Sequence, residues 1–375
     1  MAEPKIAIVG AGIGGLATAA ALLQANFSVT VFEQAHHFSR VGAGINLTPN
    51  SIKALDGLGL GQAVCALGFQ AQHRVSRLWD TGEVTSNLSL NEGGLHKYGA
   101  PQVTIHRAEL LTILEQSVDA ACIQFNKKLM RLQQDPSGVT LEFTDGHQER
   151  FDAVIGADGI HSCVREQLAG GESPEFSGMV AFRSVIDVKR LPKRDYRALT
   201  KWWGPNSTSQ LFTFLIDEKE SELFVFATAP LPDWPHESWS IKAQKEELLG
   251  LYAHYCSEAT SILEHCDDIL KTAMYVRQPL QSWSFERVAL LGDACHSMLP
   301  FMAQGAAMGL EDAVVLARCL SMMKGHDVCS ALKRYEHLRL SRASKIQLAS
   351  AQNDWLRNDS NAEWVYGYNP WQIEI

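Results

Sequence analysis

The sequence predicts an α/β protein: a helix-flanked parallel sheet, interrupted along the chain by a separate antiparallel sheet and completed by C-terminal helices. Three observations point to it. Near the N-terminus, four glycines crowd the junction between a short β-branched run and an alanine-leucine run. From about residue 176 to 229 the pattern changes to strand-like alternation rich in aromatics. From about 304 to 352 it becomes helical, with no low-complexity linker and no internal repeat anywhere.

The first unit reads strand, turn, helix, strand. "KIAIVG" (5–10) is a buried strand, the next fourteen or so residues a helix to about Gln24, and "SVTVFE" (28–33) a second strand. The uncharged stretch 6–23 also has the composition of a signal peptide or a membrane helix. Gly10, Gly12, Gly14 and Gly15 argue against both, because a spanning helix gains nothing from four glycines at one point. In a βαβ unit they have separate uses. Gly10 makes the turn, Gly12 lets backbone approach a pyrophosphate at the helix N-terminus, and Gly15 lets helix and strand pack closely. Glu33 ends the second strand, about twenty residues on, where an acid receives ribose hydroxyls. Together these indicate an adenine dinucleotide and leave FAD and NAD undistinguished.

Downstream, "HRAELLTILEQSV" (106–118) is a helix opening on His106 and Arg107. Residues 139–159 alternate as a strand, turn at Asp145-Gly146 and enter another buried strand, "AVIGA". "MVAFRSVI", "TKWWG", "SQLFTFLI" and "ELFVFATA" form the inserted antiparallel sheet, and 237–270 is charge-dotted helix. "RVALLGD" (287–293) is a strand, followed by helices at 304–323 and 327–352.

Composition narrows the class. With 375 residues, 46% hydrophobic and 20% charged, the chain can bury one large or two joined cores and has little room for disorder. A net charge of −9 disfavours a nucleic-acid partner, which needs a basic face. Eight cysteines without a C-x-x-C pair read as reduced thiols of a cytoplasmic protein.

"GDACHSMLPFMAQGA" (292–306) gathers Asp293, Cys295 and His296 before a proline and a run of small residues. Read as an extended segment, it sends neighbouring side chains apart. Neither a metal set nor a Cys–His catalytic pair is then expected, and Cys295 and His296 pack beneath the loop.

Three motifs, "GAGIGG" with Glu33, "GADGIHSCVR" (156–165) and "LLGDACHSMLPFMAQGAAMGLEDA", together resemble the class A flavoprotein monooxygenases, the single-component FAD-dependent aromatic hydroxylases. "TKWW" and the ending "WVYGYNPW" look most like 6-hydroxynicotinate 3-monooxygenases, with salicylate hydroxylases next. The resemblance implies a Rossmann-like FAD-binding domain of glutathione-reductase type, carrying an inserted antiparallel substrate sheet and C-terminal helices. Its segments would be 1–75, 100–175 and 270–345, with 76–99 and 176–269 in the substrate domain and 346–375 as C-terminal helix and tail.

The same resemblance implies which residues hold FAD. Besides the four glycines and Glu33, they are Gln34, Arg40 and Arg107 on its flanks, Met130, Asp158, Gly159, Asp293 on the ribityl hydroxyls, Pro300, and Gly305, Ala306 and Ala307. The last three open a helix whose N–H groups and dipole meet the negative charge of a reduced flavin. An ordinary Asp-Gly turn is the other reading of Asp158.

NADH or NADPH would be the electron donor without a second nucleotide domain, and O2 the co-substrate. A flavin C4a-hydroperoxide would then transfer oxygen to a small aromatic or N-heteroaromatic acid, possibly with decarboxylation. Such chemistry needs a dry pocket and an activated substrate hydroxyl. Trp202, Trp203, Phe212 and Phe214 suit the first need, and Asn46, Arg183, Gln210, Thr213 and Pro300 are the candidate substrate contacts.

No catalytic base is evident. Asn46 and Phe301 stand where the 6-hydroxynicotinate pattern has histidines, which weakens that particular substrate assignment. A flavin epoxidase or natural-product monooxygenase shares the fold, as does a flavin-free escort protein. No membrane association is expected, and the protein would be a monomer or homodimer.

Overall fold

The computed structural model describes residues 4–38, 43–90, 92–170, 172–236, 238, 240–322, 327–353 and 362–375. A six-stranded sheet forms its centre. Strands Val288–Leu290, Ala153–Gly156, Lys5–Val9, Ser28–Phe32 and Ile123–Gln124 run parallel in that order, with Ser284–Phe285 antiparallel at one edge. Lys5–Val9 lies between Ala153–Gly156 and Ser28–Phe32, so the first motif sits at the middle of the sheet. Helix Ile13–Gln24 buries every residue from Gly15 to Leu22, which explains its lack of charge: it is a core helix. Among the described residues no helix is long and apolar enough to cross a membrane.

Strands Leu129–Asp135, Gly138–Phe143 and Gln148–Phe151 make a small antiparallel sheet, turning at Gly146 with φ +84°. The second large sheet has seven strands. Its order is Leu270–Val276, Glu175–Asp187, Glu222–Pro230, Gln210–Leu215, Ala198–Trp203, His73–Leu78 and Val84–Ser89. It is antiparallel except where Ala198–Trp203 runs parallel to His73–Leu78.

Two expected boundaries therefore move. His73–Leu78 straddles the cut at 75/76, and Leu270–Val276 belongs to the inserted sheet rather than to the FAD-binding segment beginning at 270. Strands of this kind carry no local mark of which sheet they join. The cut at 345/346 falls inside the unbroken helix Val328–Gln352.

A buried polar network clamps these parts together. Glu311 and Asp312, on helix Gly305–Met322, are fully buried. Arg339 donates to Asp312 at 2.8 Å and to Glu311 at 2.6 Å, and Arg342 to Glu311 at 2.8 and 2.9 Å. Asn50 donates to Glu311 at 2.7 Å and to Gln304 at 2.9 Å, while His296 Nε2 lies 2.5 Å from Asp312. Burial alone would raise both carboxyls, but the facing cations hold them below their ordinary range. The tail joins the same clamp, with Arg342 donating to the carbonyls of Trp364 and Val365 and Arg318 to those of Pro370 and Ile373.

Three outcomes are expected from this packing. Arg339→Met leaves Asp312 without its guanidinium and should cost about 3–5 kcal/mol in urea unfolding. Because both acids are depressed, their stabilising contribution is present above the unfolded carboxylate range and should be lost only as pH falls through their lower folded values. Gly15→Ala would set a Cβ 1.9 Å from the Gly10 carbonyl oxygen and should lower the melting temperature even of protein without FAD.

Candidate active site

All three motifs converge at glycines. Gly10 adopts φ +103°, and a Cβ there would lie 2.4 Å from the Ala157 carbonyl oxygen, so only glycine lets the first turn rest on the second motif. A Cβ on Gly309 would stand 3.5 Å from the Gly14 Cα and 3.9 Å from the Gly292 Cα, so the helix of the third motif crosses the first backbone to backbone, with the Leu291 side chain filling the space beside Gly14. Arg165, from the second motif, donates to the Ala294 carbonyl of the third at 3.3 Å.

Around this junction an open slot remains. A Cβ added at Gly12 or at Gly305 would meet nothing within 4 Å. Glu33 accepts from the Ala11 N–H and the Ala35 N–H, each at 2.9 Å, tying the turn to the end of the second strand. Each oxygen keeps a second lone-pair direction for a ribose hydroxyl. Gln34 is exposed beside it, and Met130 is 50% exposed on the small sheet. Arg40 lies outside the described residues. Asp158 accepts from Ser162 Oγ at 2.5 Å and from the Val164 N–H at 3.1 Å, and Gly159 turns at φ +81°. The Asp158 carboxylate thus serves the start of helix Cys163–Ala169, the turn-type role open to it from the sequence.

The segment after Gly292 is not extended. Asp293–His296 is one helical turn, begun by Gly292 at φ +64°. The expectation that side chains here point apart is therefore corrected. Cys295, His296 and Asp312 bring their ligand atoms within 4.8 Å of one another, a convergence that needed a residue distant in sequence. Asp312 is already engaged by Arg339, the Gly292 N–H and His296, so the trio is an ion-paired core cluster. Burial disfavours the His296 imidazolium, yet Cys295 and Asp312 hold its pKa well above the ordinary value.

Asp293 points the other way. Its side chain keeps accessible surface while protein mass around it pushes its carboxyl upward, the combination expected of a group lining an internal slot. His296 and, less strongly, Arg107 stand near enough to oppose that shift, and Arg183 near enough to Arg107 that burial and their repulsion bring Arg183 down to about 10. Pro300 is exposed to the slot at the head of the turn Pro300–Met302, and Ala303 follows at φ +55°, unusual for a residue with a Cβ. Helix Gly305–Met322 then begins, its backbone bond from the Met308 N–H to the Gln304 carbonyl leaving the N–H groups of Gly305, Ala306 and Ala307 at its mouth. Ala306 is half-buried, but the Ala307 side chain lies in the core, so only its backbone can serve a ligand. An acceptor acid, an open helix mouth and a glycine turn with free space in front fit FAD.

The inserted sheet covers this slot with one face. Cross-strand register places Gln210, Phe212, Phe214, Lys201, Trp203, Phe226 and Arg183 on that face. Met179, Ala181 and Met274 of the same face pack against Leu299 and Phe301 of the third motif. Thr213 and Trp202 alternate to the opposite face, where Trp202 packs with Leu248, Tyr252 and Ile262 behind the sheet. The expectation that Thr213 contacts substrate and Trp202 lines the cover is corrected by this register, since a one-residue step along a strand changes face.

Gln210 faces the slot side and donates to the Ser207 carbonyl at 3.2 Å; Asn46, on Gly44–Leu47, accepts from Gln102 at 2.9 Å. Sequence reading missed buried Lys201 and Arg74 on this same face. The alternation "KWW" carried a signal, since it places Lys201 and Trp203 together.

Asp293→Ala should lose most bound FAD and Asp293→Asn retain more, with near-wild-type circular dichroism for both. Gly12→Val should likewise lose FAD while unfolding like the wild-type apoprotein, because its side chain enters open space. Full FAD content in Asp293→Ala and Gly12→Val would remove these positions from the cofactor site.

Comparison with known proteins agrees with this geometry. Residues 3–350 match the family described as FAD binding domain. The chain is 36% identical to a 6-hydroxynicotinate 3-monooxygenase of Pseudomonas fluorescens, over all of this chain and 97% of that protein. It is 31% identical to a 3-hydroxybenzoate 6-hydroxylase of Polaromonas naphthalenivorans, over 98% and 97% of the two chains. The structure of Klebsiella pneumoniae HpxO complexed with FAD and uric acid superposes with a TM-score of 0.84 at 25% identity, covering 96% of this chain and 90% of that one. With three distant motifs gathered at one glycine junction under a sheet of aromatics, and with these matches over nearly its whole length, the chain belongs to the FAD binding domain family, among the FAD-dependent aromatic-ring monooxygenases.

Proposed function

We propose that the protein hydroxylates a small aromatic or N-heteroaromatic acid, consuming NADH or NADPH and O2, at the interface between the slot and the inserted sheet. The observation that carries this reading is the chemistry of the sheet's inward face. Phe212 and Phe226 pack against the cluster of Leu299 and Phe301, and Trp203, Lys201 and Arg183 share their face, which also carries Arg74, partnered by Tyr366. An aromatic ring bearing an anionic group is the ligand that such a face complements.

FAD, when bound, supplies oxygen activation, which none of the side chains provides. The chain's own residues bind, orient and dry the site. Asp293 takes sugar-chain hydroxyls, and the mouth of helix Gly305–Met322 offers N–H groups and a dipole to negative charge. The apolar cluster of Met179, Ala181, Leu299 and Phe301 keeps water from the reacting ring.

Among the described residues the fully buried carboxylates are Glu311 and Asp312, both held in ion pairs, and His296 is paired with Asp312. Activation of a substrate hydroxyl thus rests on cations that favour its phenolate form rather than on a buried base. Asn46 and Phe301, standing where imidazoles are expected in 6-hydroxynicotinate enzymes, make a substrate other than 6-hydroxynicotinate the favoured one. The free thiols suit the cytoplasm, and the protein acts as a monomer or homodimer.

The test is a panel of hydroxybenzoates and hydroxypyridine carboxylates assayed for accelerated NAD(P)H oxidation, with product and peroxide both measured. At least one acid should accelerate oxidation and be hydroxylated. No acceleration by any of them, in protein carrying its full FAD complement, would overturn the reading.

A further inference from the structure

His296 closes the single helical turn Asp293–His296 and is 1% exposed, so its side chain has no surface to offer a ligand. No step of the proposed hydroxylation uses it. Its Nε2 stands 2.5 Å from Asp312 Oδ2, and because an ionised carboxylate only accepts, that nitrogen carries the proton. The same Asp312 oxygen accepts from the Gly292 N–H at 3.2 Å. One carboxylate atom thus holds both ends of the turn, and Asp293 is carried between those ends.

A turn of four residues cannot hold its own shape, since so short a helix is marginal by itself. Its shape comes from what it is tied to. Gly292 begins it at φ +64°, and the Gly292 carbonyl accepts from the N–H groups of Cys295 at 3.0 Å and His296 at 2.9 Å. Arg339 donates to the other oxygen of Asp312 at 2.8 Å, which fixes the anchor itself. The Trp283 ring backs the imidazole at 5.2 Å between centroids, and Tyr335 backs Trp283 at 5.9 Å while donating to the Leu290 carbonyl at 3.0 Å.

Charge acts in the same direction as geometry. Burial pushes the Asp293 carboxyl upward, and of the cations that oppose this, His296 acts more strongly than Arg107. An ionised carboxylate accepts from hydroxyl groups more strongly than a neutral one.

Resting on the assignment of Asp293 to the flavin sugar chain made above, we infer that His296 is a positioning residue for FAD. As an imidazolium tied to Asp312 it locks the turn, keeps Asp293 an aimed and ionised acceptor, and acts on the cofactor only through that carboxylate.

The experiment titrates FAD into full-length protein stripped of flavin and reads the dissociation constant for the wild type, Asp293→Ala, His296→Leu and the two substitutions combined. His296→Leu should weaken FAD binding about 10- to 100-fold by itself, and no more than about 2-fold where Asp293→Ala is already present, as coupling within one polar network requires. His296→Gln, neutral but still a donor to Asp312, should fall between the wild type and His296→Leu, and serves for the same cycle if His296→Leu does not fold. A merely structural histidine would cost the same factor in both backgrounds. A measurement that needs no variant is nitrogen-15 NMR of histidine-labelled wild type: at about pH 8, above the range in which an ordinary histidine is charged, it should show a ring protonated on both nitrogens.

Equal losses in the two backgrounds, unchanged FAD affinity in His296→Leu, or no imidazolium at that pH overturns the inference. Wild-type affinity in Asp293→Ala alone is a separate failure, one that removes the assignment of Asp293 and this inference with it.

Discussion

Two carboxylates on consecutive helical positions, Glu311 and Asp312, are withdrawn from water and must be met by cations. Arg339, Arg342 and His296 do so, drawing in the helix Val328–Gln352 and the turn Asp293–His296. Asn50 and Gln304 extend the same network to the helix Pro49–Gly57 and to the residue before the helix mouth. A buried ion pair is a poor source of net stability but a strict one of geometry, because a displaced partner leaves an uncompensated charge in the core. Here that strictness falls on the turn that aims Asp293 and on the start of helix Gly305–Met322.

Glycines achieve at the front of the site what the ion pairs achieve behind it. Gly14, Gly292 and Gly309 remove side chains from the point where the first and third motifs cross, and Gly10 does so where the first meets the second. Polypeptide segments far apart in the chain can then bring backbone N–H groups to one slot. Gly12 and Gly305 differ from these: a Cβ at either would meet no neighbouring chain segment within 4 Å.

The inserted sheet divides its labour between faces. The rear face, with Trp202, Leu211 and Val225, packs against Leu248, Tyr252 and Ile262 and is ordinary core. The front face mixes aromatic rings with buried cations and closes over the slot. The loop of Leu299 and Phe301 is where this face meets the third motif.

What the amino-acid order determined by itself was local or periodic. The glycine fingerprint with Glu33, the buried strands, the aromatic alternation and the two long C-terminal helices are all legible, because turn chemistry and hydrophobic period act over a few residues. The three motifs likewise marked the cofactor, since each keeps its spacing within one short segment.

Tertiary structure decided what depends on distant partners. It settled which sheet claims His73–Leu78 and Leu270–Val276, and which face of the sheet Thr213 and Trp202 occupy. It also made His296 a partner of Asp312 and gathered Lys201 with Trp203, Phe212 and Phe301. In each case register or a long-range charge pair chose between alternatives that local preference leaves equal in energy.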